Sequence, residues 1–257
     1  WIDPGNLNAV GRELFKSDGT ADGTVLVKDI YEGIGGGFPQ YLSILNGTLY
    51  FQATDSSGVT SLWKSDGTEA GTEAINLPVI DSTGFPLNYL TTSNGLLYFL
   101  ARTLDDANSP QIEMWVSDGT EAGTRLLKNI RPDYVLKDNY YDYDSRWTGS
   151  TGLTVWGYDP LLTDVNGTLF FLIDNYTHGY ELWKTDGTEA GTVLVKDIYP
   201  GNDTTPYPYN LIAVGETLYF RADDAVHGPE LWKSDGTEAG TFMVKDIRPG
   251  SDSSGPD

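Results

Sequence analysis

The stretch Glu181-Leu-Trp-Lys-Thr-Asp-Gly-Thr-Glu-Ala-Gly-Thr-Val-Leu-Val-Lys-Asp-Ile198 contains the pattern that organises the whole chain. Its central heptapeptide, Asp-Gly-Thr-x-x-Gly-Thr, occurs five times and begins at Asp18, Asp66, Asp118, Asp186 and Asp235. A period of about 50 residues in a chain rich in strand-forming residues is typical of radial or stacked repeat proteins, in which each repeat is one supersecondary unit.

Each repeat contains two hairpin signals. The first is an Asn-Gly pair followed by an apolar and aromatic run, as in Asn46-Gly47, Asn94-Gly95 and Asn166-Gly167. Asn-Gly between apolar runs predicts a tight hairpin, because both central residues of the turn need positive φ. The second signal is the heptapeptide itself, which lies between a Leu-Trp-Lys type run and a Val-Leu-Val-Lys type run. Two hairpins predict four short antiparallel strands in each repeat.

The heptapeptide has the residues of a self-bonded turn. Its Asp can accept bonds from nearby backbone amides, both Gly residues can supply unusual φ values, and the Thr hydroxyls can close the loop. We interpret the five Asp residues as structural turn residues. The alternative, five cation ligands, is less well supported, since the motif is similar to the Asp-box of sialidase-like propellers, which is usually structural.

Four-stranded repeats without helical periodicity predict an all-β fold, a β-propeller of four-stranded antiparallel blades. A β-helix is the alternative, but its coils repeat at shorter periods. We expect about five blades in one repeat domain, 1–257, with an incomplete first blade and continuation in a longer polypeptide. The predicted repeats cover about 1–38, 39–86, 87–138, 139–208 and 209–257.

Composition limits the classes of partner. The net charge is −21, and a field of that sign repels phosphate backbones, which argues against nucleic acid. There is no cysteine, so the chain has neither disulfides nor a thiolate metal site. No stretch of the sequence has the roughly 20 apolar residues of a membrane span.

The phrase Glu-Leu-Trp-Lys-Ser-Asp-Gly-Thr-Glu-Ala-Gly-Thr, followed by Val-Lys-Asp-Ile-x-Pro-Gly, resembles the ELWxxDGTxxGT repeat family. The resemblance covers residues 11–250 almost continuously. It implies a propeller-like repeat in a mostly bacterial, hyalin-like protein, located outside the cell or on its surface. It implies no catalytic residues, because the family has none that can be carried over.

The candidate binding site is an insertion in 131–160, where the link between two repeats is lengthened. Its aromatic rings and interleaved charges suit a glycan, whose apolar ring faces stack on aromatic side chains, or a protein surface. The predicted ligand-binding residues are Tyr140, Asp142, Tyr143, Asp144, Arg146, Trp147 and Trp156. Asp138, Asp142 and Asp144 are weak candidate ligands for Ca²⁺, since oxygen-rich loops suit that cation. The alternative is that these aromatics only pack the insertion in place.

Topology predicts where this insertion lies. Successive connections in a meander alternate between its two ends, so the insertion should lie opposite the heptapeptide turns, beside a second lengthened loop at 102–113. His178 and His227 occupy matching positions before Gly in two repeats, and we interpret them as turn residues.

The sequence therefore predicts a non-catalytic extracellular binding or adhesion module for a glycan, a protein or a second copy of itself. No cofactor is expected apart from Ca²⁺, and no enzyme activity. Two alternatives stay open at this point. One is a purely structural component of a surface, filament or matrix. The other is a glycoside hydrolase, which needs a pair of carboxyl groups that the five-fold repetition of acidic residues does not favour.

Overall fold

The computed structural model describes residues 11–77, 87–104, 110–128, 162–174, 180–200 and 208–255, and all of their regular structure is β-strand. The strands are β1 Leu14–Lys16, β2 Val25–Lys28, β3 Gln40–Leu45, β4 Thr48–Thr54, β5 Thr60–Ser65, β6 Glu73–Ile75, β7 Leu87–Ser93, β8 Leu96–Leu104, β9 Pro110–Ser117, β10 Arg125–Lys128, β11 Leu162–Val165, β12 Thr168–Asp174, β13 Tyr180–Thr185, β14 Val193–Lys196, β15 Tyr209–Val214, β16 Thr217–Ala222, β17 Glu230–Ser234 and β18 Phe242–Lys245.

These strands form five antiparallel sheets in which every strand pairs with its neighbours in sequence. Sheet 1 consists of β1 and β2, and sheets 2 to 5 are the four-stranded meanders β3–β6, β7–β10, β11–β14 and β15–β18. The prediction of an all-β fold built from four-stranded antiparallel units is confirmed. Among the described residues no helix is long and apolar enough to cross a membrane.

The chain divides into two compact units, 1–126 and 127–257. Within the first unit the first strands of sheets 2 and 3 are neighbours, and within the second unit the first strands of sheets 4 and 5 are neighbours. The predicted single domain of five repeats stays a prediction.

The first hairpin of each four-stranded sheet follows the turn chemistry of its sequence. Asn46 and Gly47 have φ values of 51° and 81°, and the pairs at 94–95 and 166–167 are alike. Positive φ at both central residues defines the type I′ turn, whose twist matches that of the strands it joins. In sheet 5 only Gly215 has positive φ (61°), as in a type II′ turn.

The heptapeptide turn is held by hydrogen bonds that begin and end within it. In the second copy the Oδ1 of Asp66 accepts bonds from the backbone N of Thr68 (2.8 Å) and from its Oγ1 (2.7 Å). The same Thr68 Oγ1 accepts a bond from the N of Gly71, and Thr72 Oγ1 donates to the Thr68 carbonyl. All five copies repeat this arrangement. The turn therefore needs neither a metal nor a neighbouring element to be satisfied.

The two glycines of the heptapeptide serve different purposes, which corrects the expectation that both supply unusual φ. The first has positive φ in every copy, for example 86° at Gly67. The second does not, yet a Cβ added at Gly71 would lie 2.1 Å from Oδ1 of Asp66. The second glycine is required because the Asp carboxylate occupies the space of a side chain.

Neighbouring sheets within a unit pack through a repeated contact. One face of sheet 1, formed by Leu14, Val27 and Ile30, packs against Phe51 and Trp63 of sheet 2. The opposite face of sheet 2 packs in the same way against sheet 3. The core residues of that second cluster are Leu45, Tyr50, Leu62, Ile75, Leu87, Leu90, Leu97, Phe99, Ala101 and Trp115. Each inner sheet is therefore apolar on both faces, which explains strands such as Leu169–Ile173 that are buried at every position.

The first prediction concerns the second glycine of the fourth heptapeptide. Gly191→Ala should destabilise the protein by about 1–3 kcal/mol, because the new methyl group overlaps the carboxylate of Asp186. The measurement is the free energy of unfolding by denaturant, with Ala190→Gly at the neighbouring exposed position as the control.

A double-mutant cycle identifies the cause. In an Asp186→Ala background the same glycine substitution should cost clearly less, because the overlapping group is gone. An equal cost in both backgrounds would show that the close approach is not what requires glycine.

Candidate functional site

The predicted binding insertion falls in a part of the chain that the structure does not describe. Residues 131–160, with all seven predicted ligand-binding residues and the candidate Ca²⁺ ligand Asp138, lie outside the described residues, as do His178 and residues 105–109 of the 102–113 loop. The rest of that segment is strand, at the end of β8 and the start of β9. The predictions for that patch and for its position stay predictions. Within the described ranges no group of three or more His, Cys, Asp or Glu side chains could hold a metal ion.

Most of the described titratable groups with a shifted pKa form hydrogen bonds that hold turns and strands in place. The Thr68 hydroxyl and amide, which bond to the Asp66 carboxylate, lower the pKa of Asp66. Equivalent bonds from the Thr two residues further on lower the pKa of the other four heptapeptide carboxyl groups, those of Asp18, Asp118, Asp186 and Asp235. His227 lies in a turn, where its Nδ1 is 2.8 Å from Oδ2 of Asp224, and this contact raises the pKa of His227.

A buried glutamate fastens the third strand of several sheets to the segment after the fourth strand. Glu181 is 1% exposed, and its two carboxylate oxygens accept bonds from the backbone N of Ile198 (3.0 Å) and of Tyr199 (3.1 Å). Burial raises the pKa of Glu181 to about 7, although both amide bonds oppose that shift, and the Asp197 carboxyl adds to it.

The equivalents Glu13 and Glu230 bond to backbone amides 17 and 18 residues further along the chain. The sequence analysis did not predict this structural role of the glutamate. A signal was present, since Glu precedes the Leu-Trp type pair in four of the five repeats. Because the arrangement recurs, a buried glutamate with a raised pKa is a structural device here rather than a catalytic acid.

A second feature that the sequence did not reveal is a bulge in the first strand of three sheets. The register of the first strand shifts between Gln40 and Ser43 in sheet 2, and at the same place in sheets 3 and 5. In each bulge one residue has a left-handed backbone: Tyr41 (φ 54°), Tyr89 (φ 55°) and Asn210 (φ 56°).

The two tyrosines are unusual occupants of these bulges. Asn tolerates the left-handed conformation, because its short polar side chain can bond locally, whereas a bulky side chain in that conformation is an outlier. Such strain costs on the order of 1–3 kcal/mol and is found mainly at functional sites. Since Asn210 shows that the bulge does not need an aromatic residue, we infer that the rings of Tyr41 and Tyr89 have another use.

The two rings lie together in the first unit. Their centroids are 5.9 Å apart with an interplanar angle of 41°, and Tyr41 is 36% exposed. Phe38, three residues before Tyr41, is also left-handed (φ 48°) and 47% exposed. The guanidinium carbon of Arg12 is 5.7 Å from the centre of the Phe38 ring. We call Phe38, Tyr41 and Tyr89 the aromatic trio.

A cleft of about 350 Å³ lies beside part of the trio. It is lined by Phe38, by Gln40 and Leu42 on either side of Tyr41, and by Arg12 and Phe15 among others. Aromatic surface with one guanidinium and one amide can stack against the apolar side of a ring and hydrogen bond to its polar groups. This is the best candidate functional site among the described residues.

No family model matches the sequence, and no curated protein matches it. The suspected membership of the ELWxxDGTxxGT repeat family therefore stays a prediction. Several solved structures have a similar backbone. TolB from Acinetobacter baumannii is 11% identical with a TM-score of 0.43, and the match covers 86% of this chain and 46% of that one.

Two glycoside hydrolases are similar to the same degree. The exo-β-1,3-galactanase of Phanerochaete chrysosporium is 10% identical (TM-score 0.37), with 95% of this chain and 54% of that chain covered. The xylan β-1,4-xylosidase of Bacillus halodurans is 14% identical (TM-score 0.34), with 85% and 42% covered. The chain spans about half the length of these three proteins or less.

These comparisons contradict the prediction of a non-catalytic binding or adhesion module, because the similar structures are mainly glycoside hydrolases. At TM-scores below 0.5 the likeness assigns no active-site residue and no substrate to this chain. It also leaves location, cofactors and partners untested.

The second prediction concerns Glu181 and pH. Because the folded protein holds the proton of Glu181 up to about pH 7, and the unfolded chain only up to about pH 4.5, the folded state binds more protons between these values. This group therefore adds stability as the pH falls from about 7 to 4.5, by at most about 1.4 kcal/mol per pH unit.

Glu181→Gln should remove that contribution. The measurement is the free energy of unfolding at several pH values, with Glu189→Gln at an exposed turn position as the charge-matched control. If the wild type and Glu181→Gln show the same pH slope, the carboxyl group does not titrate as stated.

The third prediction tests strain in the bulge. Tyr89→Asn should change the free energy of unfolding by less than about 1 kcal/mol, because relief of backbone strain offsets the lost ring contact. Tyr89→Val loses the same contact but introduces a β-branched residue, which tolerates the left-handed backbone poorly, so this variant should be at least about 1–2 kcal/mol less stable than Tyr89→Asn. Equal stability of the two variants would argue that the backbone is not strained at this position.

Proposed function

We propose that the chain is a β-propeller that takes a glycan as its substrate, and that the aromatic trio is the surface on which a sugar ring stacks. The observation that carries this proposal is the presence of three partly exposed aromatic residues with left-handed backbones in one unit. It replaces the predicted adhesion role, which the comparisons contradict.

The propeller part of the proposal is supported by the repeated meander and by the neighbouring first strands. In a propeller the blades are arranged around a central channel, and the first strand of each blade is innermost. The adjacent first strands β3 and β7, and likewise β11 and β15, fit that arrangement. The bulges that hold Tyr41 and Tyr89 are on first strands, so they would face the channel, where propellers commonly hold ligands.

The glycan part is supported by the chemistry of the trio. A sugar ring has an apolar face of C–H groups, which packs against aromatic rings, and a rim of hydroxyls that bond to groups such as Gln40 and Arg12. The contact between the Tyr41 and Tyr89 rings restricts both side chains before the ligand arrives, so less conformational entropy is lost on binding. The proposal assigns substrate recognition to the trio and assigns the bond-breaking step to no residue.

The fourth prediction has a binding part and a turnover part. The purified chain should bind at least one of three oligosaccharide types, β-1,4-xylan, xyloglucan or β-1,3-galactan fragments, in isothermal titration calorimetry. Tyr41→Asn and Tyr89→Asn should each weaken that binding at least about tenfold, since a lost stacking contact of about 1.4 kcal/mol is a factor of ten. Incubation with the bound oligosaccharide should release shorter sugars, measured by chromatography.

Asn210→Ala is the matched control, because it changes the equivalent bulge in sheet 5 without removing a ring. It should leave glycan binding unchanged. The proposal fails if none of the oligosaccharides binds. It also fails if both tyrosine variants bind as tightly as the wild type, or if the bound glycan stays intact.

A further inference from the structure

Glu13 holds both ends of the segment 30–37, which connects sheet 1 to sheet 2. The residue is 8% exposed. Its Oε2 accepts a bond from the backbone N of Ile30 (2.8 Å), and its Oε1 accepts bonds from the N of Tyr31 (3.3 Å) and of Gly37 (2.6 Å). One carboxylate therefore fixes where this connection begins and where it ends.

Gly37 is tightly held at the end of this segment. Besides the bond from its N to Glu13, its carbonyl accepts a bond from the N of Thr54 (2.8 Å). A Cβ added at Gly37 would lie 2.9 Å from Oε2 of Glu13 and 2.9 Å from Cβ of Ile30. Both polar backbone groups of Gly37 are thus bonded, and its Cα lies close against the side chains of Glu13 and Ile30.

Phe38 follows Gly37 directly and depends on that fixed position. Its backbone is left-handed (φ 48°), a conformation that costs free energy and persists only where the surrounding contacts impose it. The N of Phe38 donates to the Arg12 carbonyl (2.9 Å). A Cβ added at Gly36 would lie 3.1 Å from Cε2 of Phe38, so the ring lies close over Gly36. The ring therefore has a fixed inner neighbour, while Phe38 as a whole is 47% exposed.

Sheet 5 contains an equivalent clamp. Glu230 accepts bonds from the backbone N of Ile247 and of Arg248 and from Oγ of Ser254. The third donor is again 24 residues beyond the glutamate. The clamp is therefore a repeated part of the scaffold, and the chain offers two copies of it for comparison.

The two clamps differ in the residue that follows the third donor. In sheet 5 this residue is Gly255, with a φ of 62°, and in sheet 1 it is Phe38, with a φ of 48°. Glycine adopts a left-handed backbone at little cost, whereas a bulky side chain in that conformation is an outlier. Since the scaffold accepts glycine at this position, closing the clamp does not require the Phe38 ring. That ring borders the cleft beside the aromatic trio.

We propose that Glu13 is a positioning residue of the glycan site: it holds Gly37, and through Gly37 it fixes the Phe38 ring for stacking on a sugar. This inference rests on the proposed function, because it takes the aromatic trio as the surface that binds the substrate. Glu13 also borders the cleft, but both of its carboxylate oxygens already accept bonds from backbone amides. It therefore acts through Phe38 and makes no contact with the sugar.

The first test replaces the carboxylate by an amide. In Glu13→Gln one acceptor oxygen becomes an NH₂ group, which cannot accept, so at least one of the bonds to the segment 30–37 is lost. A freed Phe38 ring must be ordered when the sugar binds, so calorimetry should show an affinity for the bound oligosaccharide that is about two- to tenfold lower. Glu13→Asp keeps two acceptor oxygens on a side chain too short to reach all three amides, and it should show the same change.

Glu230→Gln is the matched control, because it damages the clamp that ends at Gly255 instead of at an aromatic residue. Its glycan affinity should equal that of the wild type, and circular dichroism verifies that each variant is folded. A second measurement needs no glycan. The nuclear Overhauser effect between the Phe38 ring protons and the Gly36 α-protons should weaken in Glu13→Gln and stay unchanged in Glu230→Gln.

A double-mutant cycle shows whether Glu13 acts through the ring. In a Phe38→Ala background, which already lacks the ring, Glu13→Gln should lower the glycan affinity no further. An equal loss of affinity in both backgrounds would overturn the proposal. So would an unchanged Overhauser effect in Glu13→Gln.

The two proposals fail separately. If no oligosaccharide binds to the wild type, the proposed function fails, and the Overhauser effect alone decides whether Glu13 holds the Phe38 ring. If the wild type binds and Glu13→Gln binds as tightly, the proposed function stands and the role given to Glu13 is wrong.

Discussion

The burial of each sheet by the next one is the contact on which the rest of the described structure depends. A four-stranded meander with two apolar faces, such as residues 40–75, cannot be stable alone, because it would leave both faces in water. Here the Leu14, Val27 and Ile30 face of one sheet is closed by the Phe51 and Trp63 face of the next. The free energy of folding is therefore shared between neighbours, as is usual in repeat proteins.

The heptapeptide makes this stacking repeatable. Its Asp and Thr side chains bond to one another and to the backbone of the turn, and all five copies share this arrangement, so every hairpin presents the same turn to its neighbour. The same turn offers carbonyl groups and a glycine to the preceding sheet, where a Lys and an aromatic residue contact them. One motif therefore serves both the local fold and the interface between sheets.

Much of the fold could be predicted from sequence, because its signals are local. Asn46-Gly47 and the heptapeptide consist of residues that form tight turns. A tight turn determines the hairpin, and with it the strand order and the antiparallel pairing, without any contribution from distant residues. The role of Glu181 was not predicted, since its partners lie 17 and 18 residues away and become neighbours only after the hairpin closes. The use of the second glycine was misjudged for a similar reason: a close approach of Asp186 cannot be read from residue type.

The candidate site was the least predictable part. The sequence directed attention to the insertion with Tyr140, Tyr143 and Trp147, because unusual composition is visible in a sequence. Tyr41 and Tyr89 are inconspicuous there, and only the left-handed backbone that they share with Asn210 distinguishes them. Strain of this kind depends on the register of two strands, so it is apparent only once those strands are paired.

Native-state hydrogen exchange tests most directly the claim that each sheet is stabilised by the sheet that covers it. Strands β13 and β17 are both third strands with nearly the same sequence, but sheet 4 is covered on the face that sheet 5 leaves exposed. In dilute protein, the amides of Leu182 and Trp183 should exchange at least about tenfold more slowly than those of Leu231 and Trp232. Equal exchange rates in the two strands would contradict the account, because the stability of a sheet would then not depend on its neighbour.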